Sequence, residues 1–449
     1  MVSSVFELGC GAQCYDWGKL AKDGSKVSHF AKALPDFKCD NEKPYAEVSM
    51  HARKRNGLYR THSSHVDALF NLKQLWMGTH PSCPSKILES GESLKDYIEA
   101  HPELLGDNVR KHFGEDLPFL FKVLAIRKAL SIQAHPDKQL AQRLHKEKPD
   151  VYKDPNHKPE MAVALTPFSG FCGFRPPKEI ASFIESVPEF AAILGPAAES
   201  FKQKFGATAS SVSEQETKDG LKEMFTALMK ADEQETKEQV AKLVERFAKG
   251  SGEHQEERDL VATLNGDFAG DIGIFCTFVL NIVHLKPGEA VFLKANEPHA
   301  YLDGDIMECM ATSDNVVRAG LTPKLRDVPT LTSMLTYTFA PPSEQLLDPA
   351  GFRSTKYTTL YDPPIEEFSV LLTNLEDGQR EQYGAIDGPS ILIVTNLDGG
   401  KSKVELESDD GKFAIEREGQ VFFIGAGVDA ALVARGGRVT AYRAFVEAP

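Results

Sequence analysis

The chain has 449 residues, of which 41% are hydrophobic, enough for a large core and, as a soft expectation, two or three domains. Its 51 basic and 65 acidic residues give a formal net charge of −14, which argues against general binding to nucleic acid or anionic membranes. A phosphorylated substrate remains compatible, because a pocket can be basic within an acidic protein.

The seven cysteines are scattered and form no CxxC pair, so we expect neither a disulfide framework nor a cysteine-based zinc site. The N-terminal segment lacks the basic stretch followed by an apolar stretch that marks a secretory signal. No apolar run approaches the ~18 residues of a membrane span. These features predict a soluble protein of the cytoplasm.

In chain order, residues 1–175 contain turns and short apolar segments, and the sequence pattern changes at about residue 176. From there to 267, apolar residues recur at i, i+3, i+4 and i+7 with charged residues between them, which predicts amphipathic helices. The clearest sets are Leu221, Met224, Phe225 and Leu228, and Val240, Leu243, Val244 and Phe247.

The pattern becomes strand-like again from about 268. Thr277–Val283 and Ala290–Leu293 are predicted strands, and Lys286–Glu289 between them has the Pro and Gly positions of a type II turn. The last hundred residues repeat this style with short strands such as Ile391–Val394 and Val421–Ile424. Many short strands between turns predict a sandwich or barrel. The predicted order is therefore β, α, β and a second β unit.

The stretch LSIQAHPDK, residues 130–138, follows closely on the apolar run Phe119–Ile126. In a strand, residues two apart point to the same face, so Gln133 and His135 would share one space. An amide and an imidazole on one face suit a binding site. Taken alone, the stretch also fits an edge strand with polar residues outward.

Four polar segments stand out as carriers of chemistry. They are Gln133–Lys138, Asn156–Glu160, Asn296–Tyr301 and Glu308–Lys324. Singly, each has an ordinary explanation: His135 and His299 lie beside prolines and suit turns, and Glu160 and Arg318 suit a solvated surface. No local metal motif such as HExxH is present.

Combined, these segments resemble the type I phosphomannose isomerases. The resemblance includes YDWGK at 15–19 and LWMGTHP at 75–81, and its most specific block is PHAYLDGDIMECMATSDNVVRAGLTPK at 298–324. It implies a mainly β fold with a helical domain. The expected parts are a cupin (jelly-roll) catalytic domain at 1–175 and 268–345, an α-helical insertion at 176–267, and a second cupin-like domain at 346–449.

The resemblance implies one Zn²⁺ per chain, held by Gln133, His135, Glu160 and His299. Imidazole and carboxylate ligands suit zinc, and a neutral amide ligand leaves it a stronger Lewis acid. The implied reaction interconverts mannose 6-phosphate and fructose 6-phosphate through a cis-enediol(ate), supplying mannose for GDP-mannose and for glycosylation or cell-wall synthesis. The expected partner is thus a small sugar phosphate, without nucleic acid or membrane, and the expected state is a monomer.

Three residues are the catalytic candidates. By the resemblance, Arg318 is catalytic, and as a permanent cation it suits stabilisation of the enediolate. Lys158 and Glu308 are candidates for proton transfer, with His157 and Tyr301 nearby by motif. The resemblance does not settle which group is the base.

Substrate contacts are expected from six residues. Lys122, Ser131 and Lys324 are the candidates for the phosphate group, since lysines are common point-charge partners of phosphate. Trp17 and Glu47 resemble pocket-lining positions, as does Tyr301. For the first two, ordinary packing or surface exposure is the alternative.

The segment Val48–Gln74 departs from the family pattern, in which PYAE is followed directly by LWMG. It is basic, rich in histidine and without a clean period of 2 or 3.6. We interpret it as a retained short intron translated in frame, because its first and last codons can resemble splice sites; sequencing the transcript tests this. If the segment is present in the protein, its composition favours a poorly ordered loop, and it could also spoil the neighbouring strand and the activity.

Two other functions stay open at this point. Two histidines and a carboxylate also fit the facial triad of a cupin iron dioxygenase. Against that stand the fourth ligand-like residue Gln133 and the cations Lys158, Arg318 and Lys324, which suit an anionic sugar phosphate. The insert makes a catalytically inactive sugar-phosphate-binding protein the other alternative.

Overall fold

The computed structural model describes residues 2–14, 17–34, 72–209, 212–250, 252–398 and 402–448, with the backbone alone at 13–14 and 72–74. They form two compact units: unit 1 is Met1–Arg127, Asp305–Ala311 and Asp348–Pro449, and unit 2 is Lys128–Gly304 and Thr312–Leu347. Glu47 and insert residues 48–71 lie outside the described residues. In the described parts, no helix has both the length and the apolar character needed to cross a bilayer.

The strands in chain order are β1 (Val5–Gly9), β2 (Gly11–Cys14), β3 (Leu72–Met77), β4 (Lys86–Ile87), β5 (Phe119–Ile126), β6 (Ile132–Ala134), β7 (Glu160–Ala164), β8 (Phe168–Phe174), β9 (Leu280–Leu285), β10 (Ala290–Leu293), β11 (His299–Ala311), β12 (Val317–Gly320), β13 (Ala350–Gly351), β14 (Thr358–Tyr361), β15 (Ser369–Leu375), β16 (Arg380–Gln382), β17 (Ser390–Leu397), β18 (Lys403–Ser408), β19 (Gly411–Ile415), β20 (Val421–Ile424), β21 (Ala430–Arg435) and β22 (Val439–Phe445).

The α-helices are α1 (Lys26–Phe30), α2 (Leu94–Ala100), α3 (Asp107–Phe113), α4 (Lys138–Glu147), α5 (Pro177–Ser186), α6 (Pro188–Leu194), α7 (Pro196–Phe205), α8 (Glu214–Met229), α9 (Glu233–Lys249), α10 (Gln255–Asp267) and α11 (Val328–Met334). Short 3-10 helices cover Ala21–Asp23, Ala31–Ala33, Pro102–Leu105, Ile272–Phe278 and Pro342–Gln345.

Unit 1 contains a β-sandwich. An eight-stranded sheet has the order β13-β14-β15-β22-β17-β20-β1-β4, and a four-stranded sheet has the order β16-β21-β18-β19. Side chains of both sheets share one hydrophobic core, with Leu371 and Leu392 from the larger sheet and Leu406 and Leu432 from the smaller. The sheets therefore pack face to face, as the predicted jelly roll requires.

The N-terminal strand joins this sandwich. β1 pairs antiparallel with β20, so that Val5 lies opposite Ile424. Contacts thus group Met1–Arg127 with the C-terminal hundred residues. The sequence predicts three domains, whereas the contacts give two compact units, so the three-domain division stays a prediction.

Three further strands of unit 1 run in the order β5-β3-β2. β3 pairs antiparallel with both neighbours, and Trp76 lies opposite Lys122 on β5. All eight residues of β5 are buried, which accounts for its apolar run, interrupted at Lys122. The last three insert residues, Leu72–Gln74, form the start of β3 and are therefore part of a paired strand.

The strands of unit 2 position the polar segments. β6 lies between β11 and β12, and β8 pairs with β11 and β9. β7 pairs antiparallel with β10, which places Glu160 opposite Leu293. The turn before β10 is type II as predicted: the Glu289 amide donates to the Lys286 carbonyl at 2.9 Å, and Gly288 has φ 88°.

The predicted helices are present at α8 and α9, and the helical region α5–α10 is confirmed. The side chains that share the buried core are Leu221, Met224, Phe225, Leu228, Val240, Leu243 and Phe247, while Val244 is partly buried. Ser213 and Glu216 form a capping box at the start of α8. Asp232 caps α9 by accepting from two backbone amides.

The predicted strand Thr277–Val283 is wrong in its first half. Thr277 and Phe278 end the 3-10 helix, and β9 begins at Leu280. The helix is capped by the Asp271 side chain, which accepts from the Gly273 amide at 2.7 Å. This apolar run therefore begins as a capped 3-10 helix despite its β propensity.

Candidate metal centre

The polar stretch of residues 130–138 is a short strand followed by a helix. β6 is three residues long, and Gln133 at its centre faces His299 on one side and Arg318 on the other in the antiparallel registers. Pro136 cannot donate to a ladder, so the strand stops. Asp137 then caps α4 by accepting from the Leu140 amide at 2.9 Å.

Asn296 fastens this junction to the loop before β11. Its backbone amide donates to the carbonyl of His135 at 2.7 Å. Its side-chain nitrogen donates to Asp137 at 2.7 Å, and its side-chain oxygen accepts from the Asp137 amide at 3.1 Å. Asn296 adopts φ 62°, a left-handed conformation that asparagine tolerates. His135 is thereby held beside the start of β11, where His299 lies.

Two buried imidazoles converge on one buried carboxylate. Nε2 of His135 lies 3.4 Å from Oε1 of Glu160, and Nε2 of His299 lies 3.4 Å from Oε2. The exposed fractions are 0%, 1% and 1% for His135, Glu160 and His299, so all three side chains lie in the protein interior, away from bulk solvent. The three offer one ligand atom each, close enough together to hold a metal ion.

Backbone carbonyls set the orientation of both imidazoles. Nδ1 of His135 lies 2.7 Å from the carbonyl oxygen of Asn315, and Nδ1 of His299 lies 3.1 Å from that of Glu297. A carbonyl only accepts, so each Nδ1 carries a hydrogen, and the Nε2 of each ring is the nitrogen left to bind a metal. Burial, followed by the nearby charge of Lys158, lowers the pKa of His135 to about 4, so this ring is neutral at pH 7.

The carboxylate of Glu160 is ionised. Burial alone would raise its pKa, but the charge of Lys158 lowers the pKa well below its usual range. Nζ of Lys158 lies 2.6 Å from Oε1 of Glu160. Among the residues that the structure describes, the other oxygen, Oε2, has no hydrogen-bond partner, and neither has Nε2 of His135 or of His299.

These donors fit a zinc ion. Unprotonated nitrogen and oxygen lone pairs facing one another at 3.4 Å repel unless a cation lies among them. Two imidazoles and a carboxylate are the donor set of many catalytic zinc sites. Gln133 lies across from His299 in the register and offers an amide oxygen, which is 3.4 Å from the hydroxyl of Ser131.

Arg318 belongs to the same patch of sheet. It lies directly across from Gln133 on β12, and residues directly opposite in an antiparallel pair point to the same face. Its side chain is partly buried, and burial lowers the pKa of the guanidinium, which is still a cation at pH 7. Unit 2 therefore brings Ser131, Gln133 and Arg318 onto the face beside the imidazole–carboxylate cluster.

Two other predicted residues form a buried ion pair in unit 1. Nζ of Lys122 lies 3.3 Å from Oε2 of Glu308, and both side chains are almost fully buried. The ammonium also lies 3.1 Å from the Met310 sulfur and 4.4 Å from the centre of the Trp76 ring. The predicted phosphate contact and proton-transfer candidate thus contact each other directly.

The remaining predicted residues are more dispersed. Tyr301 is buried on β11 with its ring 5.7 Å from that of Phe168. His157 is partly buried in the loop before β7, and Trp17 is partly buried in unit 1. Lys324 is exposed and lines a surface depression that none of the candidate metal ligands lines.

Sequence reasoning missed the groups that orient the ligands. The carbonyls of Asn315 and Glu297 are backbone atoms, so no residue type signals them. Asp154 was also missed, although its carboxylate accepts hydrogen bonds from Ser313 and from the Asp314 amide at 2.8 Å each. Its place two residues before the NHKPE segment was the only available signal.

Comparison with known proteins gives consistent results along the chain. Three family profiles match: "Phosphomannose isomerase type I, catalytic domain" at 59–177, "helical insertion domain" at 194–280, and "Phosphomannose isomerase type I C-terminal" at 359–404. Mannose-6-phosphate isomerase of Cryptococcus neoformans is 44% identical over 469 residues, covering 100% of each chain. That of Saccharomyces cerevisiae is 42% identical over 464 residues, again covering 100% of each.

The solved structures agree with the sequence relatives. A mannose 6-phosphate isomerase bound with zinc and yttrium superposes with a TM-score of 0.77 at 28% identity, covering 99% of this chain and 100% of that one. The predicted fold class, a mainly β cupin protein with an α-helical insertion and a second cupin-like domain, is confirmed by this likeness. The chain belongs to the type I phosphomannose isomerase family.

Proposed function

We propose that this protein interconverts mannose 6-phosphate and fructose 6-phosphate, with one Zn²⁺ held by Gln133, His135, Glu160 and His299. The observation that carries the proposal is the buried convergence of two Nε2 atoms on one carboxylate. Relatives 41–44% identical over nearly their full length support the substrate. Zinc-bound neighbours support the metal.

The reaction moves a proton between C1 and C2 of the open-chain sugar through a cis-enediol(ate). Bound zinc supplies a Lewis acid that polarises sugar oxygens. Arg318 contributes a fixed positive charge that stabilises the negative charge of the enediolate. A partly buried, permanently charged guanidinium suits this role better than proton transfer, because it does not give up its proton.

Lys158 and Glu308 are our candidates for proton transfer. The ammonium of Lys158 contacts an ionised carboxylate and therefore suits a group that holds a proton for a substrate oxygen. Glu308 forms an ion pair with Lys122 and is the candidate that accepts the proton from carbon. In this assignment Lys158, paired with the carboxylate Glu160, holds a proton, whereas Glu308, paired with the cation Lys122, accepts one.

The substrate contacts follow the same logic. Ser131, Lys122 and Lys324 are assigned to the phosphate group, and Trp17, Glu47 and Tyr301 to the pocket wall. We further propose a cytoplasmic monomer whose product feeds GDP-mannose synthesis. The catalytic cupin domain is taken as 1–175 with 268–345, and the helical and C-terminal domains as 176–267 and 346–449.

A coupled assay from mannose 6-phosphate to fructose 6-phosphate, run on purified protein with and without a chelator, tests the proposal. We expect turnover that the chelator abolishes and that zinc restores, with zinc found by metal analysis. In Arg318→Ala, zinc should stay bound while turnover is lost. Bound iron together with oxygen uptake would overturn the isomerase assignment in favour of a dioxygenase.

A further inference from the structure

The loop at residues 154–156 is fastened to the loop at 313–315 by a set of side-chain hydrogen bonds. The Asp154 carboxylate accepts from the Ser313 hydroxyl and from the Asp314 amide, at 2.8 Å each. In return, the Asn315 side-chain nitrogen donates to the Asp154 carbonyl at 2.7 Å and to the Asn156 carbonyl at 2.9 Å. We call Asp154, Ser313 and Asn315 the clasp.

The clasp contacts the proposed metal ligand His135. Asn315 is 1% exposed, and its backbone carbonyl accepts the hydrogen of His135 Nδ1 at 2.7 Å. The position of that carbonyl is fixed by the Asn315 side chain and by its own amide, which donates to the Ser313 hydroxyl at 3.2 Å. A displaced carbonyl would free the imidazole to rotate or to change tautomer.

The clasp also joins the chain segments that carry the other working groups. The loop at 154–156 leads within a few residues to Lys158 and Glu160, and the loop at 313–315 leads to Arg318 on β12. These segments are far apart in sequence. One hydrogen-bond network therefore connects the segments that carry Glu160 on β7, His135 next to β6 and Arg318 on β12.

We propose that Asp154 and Asn315 are positioning residues that hold His135 in its Nδ1–H tautomer and keep Glu160 and Arg318 in place for the metal and substrate. This inference rests on the proposed function for its catalytic consequence, but its metal-binding consequence stands on the contacts alone. Groups that orient metal ligands in this way typically change metal affinity or activity by about 10–100-fold when they are removed.

The test compares Asp154→Ala, Asp154→Asn, Ser313→Ala and Asn315→Ala with the wild type. Asp150→Asn is the matched control, because Asp150 is an exposed carboxylate in the same loop region. Zinc affinity is measured by competition with a chelator. The ring nitrogens of His135 are observed by ¹⁵N NMR in metal-free protein, and the Co²⁺-substituted proteins are compared by absorption.

We expect Asp154→Ala and Asn315→Ala to bind zinc about 10–100-fold more weakly, to show His135 nitrogens shifted towards a mixture of tautomers, and to have altered Co²⁺ spectra. Asp154→Asn should recover part of the affinity because it keeps one of the two side-chain acceptor oxygens. At saturating zinc, kcat should fall more than KM changes. Asp150→Asn should match the wild type.

Zinc affinity within twofold of the wild type and unchanged His135 shifts in all clasp variants would overturn the inference. Ser313→Ala removes the contacts of one hydroxyl and leaves the Asp154 and Asn315 side chains in place, so it serves where the larger changes prevent folding. Unchanged His135 shifts in this variant count against the inference. A wild type that binds zinc but does not isomerise mannose 6-phosphate would refute the proposed function and leave the clasp intact.

Discussion

The ammonium of Lys158 lies 2.6 Å from Glu160, the carboxylate on which both imidazoles converge. Both side chains are largely buried, so this contact supplies the positive charge that an ionised carboxylate needs in the protein interior. Lys158 and a metal ion therefore stabilise the same carboxylate. The relationship predicts that the stability of the metal-free protein depends more strongly on Lys158 than that of the zinc-loaded protein.

Lys158→Met tests that dependence. Breaking a buried ion pair by removing one partner leaves an uncompensated charge, so the metal-free variant should lose about 3 kcal/mol of unfolding free energy. Zinc should restore most of this loss. Urea unfolding with chelator and with zinc measures both values, and Lys153→Met, at an exposed position of the same segment, is the control. An equal loss with and without zinc would contradict the shared role.

The pH dependence of the metal-free protein follows from His135. Its pKa is about 4 in the folded state against an ordinary value of 6.5. Between these values the unfolded chain binds a proton that the folded chain does not. The free energy of unfolding therefore has its full value above pH 6.5 and falls as the pH drops from 6.5 towards 4. The difference amounts to about 3 kcal/mol.

This effect is isolated by comparing metal-free wild type with His135→Asn in urea at several pH values. The wild type should show a steeper loss between pH 6.5 and 4 than the variant, by the equivalent of about one proton. Parallel curves would mean that His135 titrates normally in the folded state.

Substitution of Glu308 tests the proposed assignment of this residue to proton transfer. Glu308→Gln keeps the size of the side chain and removes the basic oxygen, so kcat should fall about 10²–10⁴-fold with zinc content unchanged. Steady-state kinetics with metal analysis measures both. Lys122 loses its partner in this variant, so thermal unfolding is recorded alongside. A folded, zinc-bound variant with normal kcat would remove Glu308 from the proton-transfer step.

How far the sequence predicts this molecule depends on the range of the interactions. The amphipathic spacing around Leu221 and Val240 located two helices because helix periodicity is local. Thr277 was assigned to a strand because the Asp271 cap and the packing that favour the 3-10 helix are not visible in local propensity. The imidazole orientation set by Asn315 is equally hidden, because a backbone carbonyl has no sequence signature.

The C-terminal sandwich holds a feature that sequence reasoning did not single out. Arg443 is 1% exposed on β22, and its Nε donates to Ser390 at 2.9 Å. Within the described part of the chain, its two terminal nitrogens have no hydrogen-bond partner. Burial lowers the pKa of Arg443 to about 10. The guanidinium lies 5.0 Å from the centre of the Tyr383 ring. A buried cation with unpaired donors destabilises the fold.

Arg443→Met should therefore raise the free energy of unfolding by about 1–3 kcal/mol, because an apolar chain of similar length fills the space without the desolvation cost. Urea unfolding measures the change, and Ser390→Ala is the companion variant, which should lose stability because it removes one more partner of the guanidinium. A loss of more than about 1 kcal/mol in Arg443→Met would show that the cation is stabilising.

The central claim is that the buried cluster around Glu160 binds zinc for isomerisation, and His299→Ala tests it most directly. His145→Ala is the control, since His145 also has Nδ1 near a backbone carbonyl, that of Tyr152 at 2.8 Å, but lies on α4 outside the cluster. Zinc content and the conversion of mannose 6-phosphate to fructose 6-phosphate are measured on the same samples. The account predicts that His299→Ala loses both together while His145→Ala keeps both. Normal turnover in a zinc-free His299→Ala protein would contradict it.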